Sequence, residues 1–134
     1  LRERSQQEPL EQVEPVMRWE ELIAAIARVR QVHVDDQIYD YIARLAEGTR
    51  THPLLKLGIS PRGALALCRT AKARAFAEGR DFVVPEDVTQ MAEYVFAHRL
   101  MLSSKARLNE YTPEAIVAEV LAQTQPPVLS ERRA

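Results

Sequence analysis

The stretch that decides the fold reads GISPRGALALCRTAKARAFAEGRDFVVPEDV and covers residues 58–88. Ser60 is a preferred N-cap residue and Pro61 a preferred first helical residue, so a helix is predicted to begin here. The helix is predicted to continue through an alanine-rich segment and to stop at Gly79, which suits a left-handed helix cap. A second proline, Pro85, is followed by two acidic residues and predicts the start of the next helix.

Two further helices are predicted upstream of this stretch. Apolar residues recur at helical spacing over about 18–30, and Asp35 is a good N-cap for a helix that should end at Gly48. The β-branched segment 32–34 between these helices is predicted to be an extended link. The apolar face of the first helix consists of Trp19, Leu22, Ile23, Ile26 and Val29.

A last helix is predicted downstream, because Thr112 followed by Pro113 repeats the pattern of an N-cap and a first-turn proline. Segment 82–84 is β-branched and predicted to be a second extended link. Each predicted helix has one apolar face, and none is apolar all round. We therefore expect an all-α fold, a single compact bundle of about five helices with short extended links.

The sequence divides into three predicted parts. Residues 1–18 are polar, contain two prolines and are expected to be a connector from a missing domain. Residues 19–123 are expected to form the helical domain, and residues 124–134, with a Pro-Pro pair and a charged end, a flexible tail. The first residue is Leu rather than Met, so we expect the chain to be a piece of a longer protein.

The composition is that of a globular protein. The chain has 134 residues, of which 46% are hydrophobic and 28% charged, and its net charge is −1. This charge gives no overall attraction to nucleic acid or to an anionic membrane, and no apolar run reaches membrane-spanning length. Cys68 is the only cysteine, so an intramolecular disulfide is excluded, and its thiol is expected to be packed and inert.

Arg62 lies in the first turn of the central helix, where the helix dipole disfavours a positive charge. With a rotation of about 100° per residue, Ala66, Arg69 and Ala73 fall on the same face as Arg62, away from the predicted core. The predicted core stripe of this helix consists of Ala64, Leu67, Cys68, Ala71 and Ala75.

The charge around Arg62 favours an anionic ligand. Residues 60–81 carry a local net charge of +3, whereas the rest of the chain carries −4. A guanidinium group is always charged and presents a planar fork that suits phosphate, and small neighbouring residues would let a ligand approach. The alternative interpretation is a solvated basic face without a ligand. The pattern assigns no function to Arg69 or Lys72.

No complete active site is visible in the sequence. The phosphate-binding pattern GxxxxGK[ST] does not occur, and His33, His52 and His98 lack the spacing of metal ligands. Ser60 is interpreted as a helix cap rather than a nucleophile. We therefore expect no metal site and no catalysis by this chain alone.

Several motifs resemble one known family. GISPR at 58–62 before an Ala/Leu helix, together with GRDFVVPEDV at 79–88, is similar to the C-terminal helical lid of MoxR-type AAA+ ATPases. VHVD at 32–35 and AHRL at 97–100 resemble elements of the same lid, so that the resemblance covers about residues 8–105. The ATPase subunits of magnesium chelatase have a related lid.

The resemblance implies a function for Arg62. In AAA+ ATPases, ATP lies between an α/β core, which also holds Mg²⁺, and the helical lid, which supplies an arginine called sensor 2 to the terminal phosphate. By motif match Arg62 is this catalytic arginine, and Ser60, Pro61, Gly63 and Ala66 are the residues around the nucleotide. Position 63 is commonly Ala in the family, and its glycine is interpreted here as room for a nucleotide or a neighbouring backbone.

The resemblance also implies partners. The lid would contact its own ATPase core and the neighbouring subunits of a homo-oligomeric ring, expected to be a hexamer. The parent protein would be a cytoplasmic, chaperone-like ATP hydrolase acting on proteins with von Willebrand A domains. Neither nucleic acid nor membrane is an expected partner.

Two other functions are open from the residues alone. The basic helix could lie in a groove of nucleic acid, although the chain is slightly acidic and half of this helix faces the core. The domain could also be a stand-alone interaction bundle that docks another helix against Ala66 and Ala73.

Overall fold

The computed structural model describes residues 13–128. Its elements in chain order are α1 Trp19–Gln31, α2 Asp36–Arg50, β1 Leu55–Leu57, α3 Pro61–Ala77, α4 Pro85–Phe96, a 3-10 turn Ala97–Arg99, β2 Met101–Leu102, α5 Ser104–Leu108 and α6 Pro113–Gln123. The predicted all-α bundle is confirmed, while the short α5, the 3-10 turn and the strand pair were not predicted. The predicted connector and tail extend into 1–12 and 129–134, outside the described residues.

Three of the predicted N-caps are confirmed by hydrogen bonds. Each capping side chain accepts a hydrogen bond from a backbone N–H two or three residues further along, which satisfies a donor that the helix itself leaves free. The pairs are Asp35 with Gln37 (2.9 Å), Ser60 with Gly63 (3.3 Å) and Thr112 with Ala115 (3.2 Å). Gly79 has a φ of 75° and follows the end of α3, as predicted.

The prediction that Gly48 ends α2 is wrong, because the helix continues to Arg50. A Cβ atom at position 48 would lie 3.0 Å from Cγ1 of Val120 in α6. The glycine therefore permits close packing of α2 and α6, and this contact is invisible in the local sequence around it.

The core lies between α2, α3, α4 and α6. In α3 the predicted core stripe is nearly correct, except that Gly63 is buried and Ala64 is only half-buried. The largest side chains in this core that are fully buried are Tyr41, Phe96, Ile38, Leu45, Ile59, Leu67 and Ile116.

The apolar face of α1 does not join this core, contrary to expectation. No residue of α1 is buried, and Trp19 is 69% exposed. The helix is held against α3 near its C-terminal end, where Lys72 Nζ donates to the carbonyl of Arg30 at 2.6 Å. In addition, the guanidinium of Arg28 stacks over the ring of Phe76 at 5.2 Å.

The two predicted extended links pair with each other through a parallel β-bridge between His33 and Phe82. The His33 N–H donates to the carbonyl of Asp81 at 2.8 Å, and the Val83 N–H donates to the carbonyl of His33 at 3.0 Å. A second pairing joins β1 and β2 as an antiparallel ladder in which Leu55 faces Leu102. These pairings connect segments that are distant in sequence.

Candidate functional site

The backbone that leads into α3 is held by the end of α2. The buried residue Ile59 donates its N–H to Thr49 Oγ1 at 2.8 Å, and its carbonyl accepts from Arg50 Nε at 2.8 Å. Thr49 is also buried, and its hydroxyl donates to the carbonyl of Ala46 at 2.6 Å. Because both polar backbone groups of Ile59 are bonded to α2, the first turn of α3 has a defined position.

The GISPR motif begins with Gly58, and the structure shows why this position requires a glycine. A Cβ atom at this position would lie 2.6 Å from the backbone nitrogen of Arg50 and 2.6 Å from the carbonyl carbon of Thr49. Real side chains essentially never come this close to backbone atoms. The glycine therefore lets the chain pass directly over the end of α2 before it enters α3.

Arg62 is the second residue of α3, and its side chain is exposed. Within residues 13–128 its guanidinium has no hydrogen-bond or ion-pair partner. Arg44, Arg50 and Arg80, by contrast, each bond to a carboxylate of the same domain. Arg62 is thus available to an anion from outside the domain.

Most of the positive charge that surrounds Arg62 in sequence is used within the domain. Lys72 donates to the carbonyl of Arg30, Arg74 pairs with Glu78 at 3.5 Å, and Arg80 pairs with Asp87 at 2.6 Å. Of the five basic residues between 60 and 81, only Arg62 and Arg69 have no hydrogen-bond or ion-pair partner among the residues described. The local charge of +3 therefore overstates the charge that is free to attract a ligand.

Gly63 is buried, and the atoms closest to its missing Cβ are side-chain atoms of the domain itself. That this glycine also makes room for a nucleotide or a neighbouring backbone stays a prediction. A Cβ atom there would lie 2.8 Å from Ile59 Cγ2 and 3.5 Å from Arg99 Cδ. The N–H of Gly63 is already bonded to Ser60 Oγ. The absent side chain makes space for Ile59, while the shaft of Arg99 lies at an ordinary contact distance.

The outward face predicted for α3 is only partly exposed. Arg69 and Ala73 are exposed along with Arg62, but Ala66 is half-buried and packs against the core. The carbonyl of Ala66 also accepts a hydrogen bond from Thr70 Oγ1 at 2.8 Å. The helical projection placed Ala66 on the exposed face. Neighbouring elements cover a wider part of the α3 surface than the one predicted core stripe, and Ala66 lies within that part.

An apolar groove of about 400 Å³ lies between α2 and α3, beside Pro61. Tyr39, Leu65 and Cys68 line it. Burial raises the pKa of the Cys68 thiol and also that of the Tyr39 hydroxyl. Because the thiolate is disfavoured, the groove offers no activated nucleophile, in agreement with a packed and inert Cys68.

The second motif, GRDFVVPEDV, builds a buried ion pair at the opposite end of α3. Arg80 binds both carboxylate oxygens of Asp87, at 2.7 and 2.6 Å, and Asp87 Oδ2 also accepts the Val84 N–H at 2.9 Å. Asp87 is only 1% exposed. The hydrogen bonds to Asp87 raise the pKa of Arg80, which favours the charged guanidinium. This motif joins α3 to α4, and it lies at the end of α3 that is farther from Arg62 along the chain.

Other kinds of site are not found in the described part of the chain. No group of three or more His, Cys, Asp or Glu side chains could hold a metal ion there. None of the helices in 13–128 is both long and apolar enough to cross a bilayer.

Sequence reasoning missed the residues that support the start of α3. Thr49 and Arg50 lie beyond Gly48, where α2 was predicted to end, and no local pattern links them to Ile59. Arg99 is part of the AHRL element at 97–100, which was noted only because it resembles an element of the family. The contact of Arg99 with Gly63 joins positions 36 residues apart, so no spacing rule predicts it.

Comparison with known proteins identifies the family to which this chain is similar. A family model described as AAA lid domain matches residues 47–120. YeaC of Bacillus subtilis (strain 168), an uncharacterized protein, is 39% identical over 120 residues, which are 90% of this chain and 38% of YeaC. Chaperone MoxR1 of Mycobacterium tuberculosis is 33% identical over 97 residues, 66% of this chain and 26% of that protein. The protein MoxR of Paracoccus denitrificans is 46% identical over 57 residues, 42% of this chain and 17% of that protein.

A solved structure shares the fold. The crystal structure of a "putative ATPase" from Cytophaga hutchinsonii superposes with a TM-score of 0.84 at 25% identity, over 95% of this chain and 41% of that protein. The chain spans well under half the length of each of these relatives.

Proposed function

The chain belongs to the family of AAA lid domains and is of the MoxR type, and from this we propose that it closes over ATP in a ring-forming ATPase, with Arg62 on the terminal phosphate. One observation carries the proposal. Arg62 is exposed and has no partner in residues 13–128, yet it stands in a helical turn whose backbone is held by α2. A guanidinium that extends from a fixed helical turn into solvent is suited to a phosphate group that a second domain brings to it.

The chemistry follows from where charge develops during phosphoryl transfer. ATP and Mg²⁺ would be held mainly by the ATPase core, and ATP would meet this chain at Arg62. Negative charge accumulates around the transferring phosphoryl group, and a guanidinium already in place stabilises it. The same negative charge offsets the unfavourable position of Arg62 at the positive end of the helix dipole.

The proposed site couples nucleotide state to lid position. ATP has a γ-phosphate for Arg62 to bind and ADP does not, so ATP favours the closed lid. Ser60 and Pro61 act in this proposal as the cap and first residue that position Arg62, and Gly63 and Ala66 complete the same turn and the next one.

The exposed apolar face of α1 supports a contact with the ATPase core. Trp19, Leu22 and Ile23 are 69%, 40% and 47% exposed, although they share one helix face. In the relatives, this domain amounts to 26–38% of the chain, so most of each protein lies outside the matched part. We assign the ATPase core of the same protein as the occupant of this face, since amphipathic helices of globular proteins bury such a face.

The assembly follows from the family as a proposal. The lid would also contact neighbouring subunits of a homo-oligomeric ring, a hexamer, in a cytoplasmic ATPase with von Willebrand A domain proteins as partners. The relative Chaperone MoxR1 of Mycobacterium tuberculosis is named as a chaperone, which supports a chaperone-like activity. Binding of nucleic acid is disfavoured, because Lys72, Arg74 and Arg80 are engaged within the domain.

Replacement of Arg62 tests the proposal in the ATPase that carries this lid. Arg62→Ala is expected to lower kcat for ATP hydrolysis by about 10²-fold or more, the usual effect of removing one preorganised donor. Arg69→Ala is the matched control, because it removes an exposed, partnerless charge seven residues further along the same helix. Turnover of the Arg62 variant at the wild-type rate would refute the sensor function, and an equal loss in both variants would show a general effect of charge.

A further inference from the structure

Arg99 lies beside the first turn of α3, although it comes from the 3-10 turn that follows α4. Its Cδ atom is 3.5 Å from the position that a Cβ of Gly63 would occupy, so its shaft crosses the residue next to Arg62. Its Nε donates to the carbonyl of Val95 at 2.9 Å. The backbone of α4 therefore holds one nitrogen of the guanidinium and limits how the group can turn.

The terminal nitrogens of Arg99 have no partner among residues 13–128. Arg50 provides a direct comparison, because its Nε also bonds a backbone carbonyl, that of Ile59, which lies two residues before α3 begins. In Arg50, however, a terminal nitrogen pairs with Glu47 at 3.3 Å. The domain thus neutralises one of the two arginines that flank this turn and leaves the other without a carboxylate.

We propose that Arg99 is a second phosphate-binding residue, which contacts the same nucleotide as Arg62. This inference rests on the proposed function of Arg62 as the arginine on the terminal phosphate. The planar fork at the end of Arg99 is suited to two phosphate oxygens. The shaft of Arg99 lies within van der Waals distance of Gly63, since its Cδ is 3.5 Å from the position of a Cβ there, and this contact places the guanidinium beside the turn that carries Arg62.

The charges support a ligand with more than one negative charge. Arg62 lies in this turn and Arg99 lies beside it, and neither has a carboxylate partner within residues 13–128, so their positive charges are not neutralised by the described part of the domain. A triphosphate supplies several negative charges and many acceptor oxygens, whereas one carboxylate would satisfy only one of the two guanidinium groups. A function confined to packing would require only the methylene groups of Arg99.

Arg99→Met in the intact ATPase separates the charge from the packing, because methionine retains an unbranched apolar shaft. We expect kcat/KM for ATP to fall on the order of tenfold, with a rise in KM, from the loss of a charge-assisted contact to phosphate. Arg107→Met is the matched control. Arg107 is also an exposed arginine that bonds one backbone carbonyl, that of Leu102 at 3.2 Å, and it lacks a carboxylate partner within 13–128. Its variant is expected to retain kcat/KM within about twofold.

The double variant Arg62→Ala/Arg99→Met tests whether both residues act on one ligand. A combined loss clearly different from the product of the two single losses supports a shared nucleotide. Thermal unfolding of each variant monitors the fold, and Arg99→Gln is a second uncharged variant if Arg99→Met lowers the melting temperature. Wild-type kcat/KM in a folded Arg99 variant, with Arg62→Ala impaired, would overturn this inference alone. Wild-type activity of Arg62→Ala would overturn the proposed function as well.

Discussion

At the scale of single residues, the core contains a hydroxyl group without a partner. Tyr41 in α2 is fully buried, and its hydroxyl makes no hydrogen bond within residues 13–128. The guanidinium of Arg44 lies over its ring, 5.6 Å from the centroid. Burial is the main cause that raises the pKa of Tyr41 above its ordinary value of 10.0. The ring therefore stabilises the core, whereas the hydroxyl lowers the stability of the folded state because it is buried without a hydrogen bond.

Tyr41→Phe is expected to leave the free energy of unfolding unchanged or raise it by about 1 kcal/mol at neutral pH, because it removes a buried polar group without breaking a hydrogen bond. The pH dependence should also change. Because the pKa is raised in the folded state, the unfolded chain loses the proton first, and wild-type stability should fall as pH rises above about 10.

The measurement is urea denaturation of wild type and Tyr41→Phe at neutral pH and at about pH 10.5. The alkaline loss should be smaller in the variant, with a remainder from Tyr39 and Cys68, whose pKa values burial also raises. Tyr94→Phe is the control, because it removes the hydroxyl of a tyrosine that is 72% exposed. A marked destabilisation of Tyr41→Phe at neutral pH would mean that the hydroxyl has a partner after all.

At the scale of elements, one ion pair sets how α3 meets α4. The chain leaves α3 through Gly79, and Arg80 then reaches back to the carboxylate of Asp87 in the first turn of α4. Asp87 also accepts the N–H of Val84, which precedes α4. A single carboxylate thus joins the end of one helix, the extended link and the start of the next helix.

Asp87→Ala is expected to destabilise the domain by about 3 kcal/mol, since Arg80 loses its partner and the Val84 N–H loses its acceptor in a buried position. Glu78→Ala is the control, because Glu78 forms an exposed pair with Arg74 and should contribute less than about 1 kcal/mol. Chemical denaturation of both variants compares them directly. Equal effects would indicate that the buried pair has no special weight.

At the scale of the whole molecule, α1 is the element whose surroundings are incomplete. It is amphipathic, but its apolar face is exposed. Lys72 of α3 donates to the carbonyl of Arg30, and Arg28 lies over the ring of Phe76 in α3. The core formed by α2, α3, α4 and α6 is complete without it. A helix in this situation indicates an interface with a second domain, which is the position that the proposed function gives to the ATPase core.

The only tryptophan of the chain, Trp19, reports on this interface. In the separate chain its emission should be that of a water-exposed indole, in keeping with its 69% exposure. In the intact ATPase, the difference spectrum between wild type and Trp19→Phe should show a blue-shifted indole with reduced access to a soluble quencher, because the core would cover the ring. Equal quencher access in the two contexts would refute the proposed occupant of α1.

The sequence by itself determined the features that depend on neighbouring residues. The starts of α2, α3 and α6 follow from Asp35, Ser60 and Thr112, because capping hydrogen bonds span two or three residues. The end of α3 follows from Gly79 for the same local reason. The position of Arg62 in the first turn of α3 was predictable in the same way, and so was the resemblance to the family that the comparisons confirm.

Only the tertiary structure decided which surfaces meet. It placed Gly48 against α6 and left the apolar face of α1 exposed, and both results contradict what the local sequence predicted. It also brought Arg99 next to Gly63, a contact that the local sequence did not predict. The physical reason is that helical periodicity states which residues share a face but not what covers that face. Packing between segments far apart in the chain decides what covers a face. For this reason Arg62 was a candidate phosphate-binding residue from the sequence, whereas Arg99 became one only from the fold.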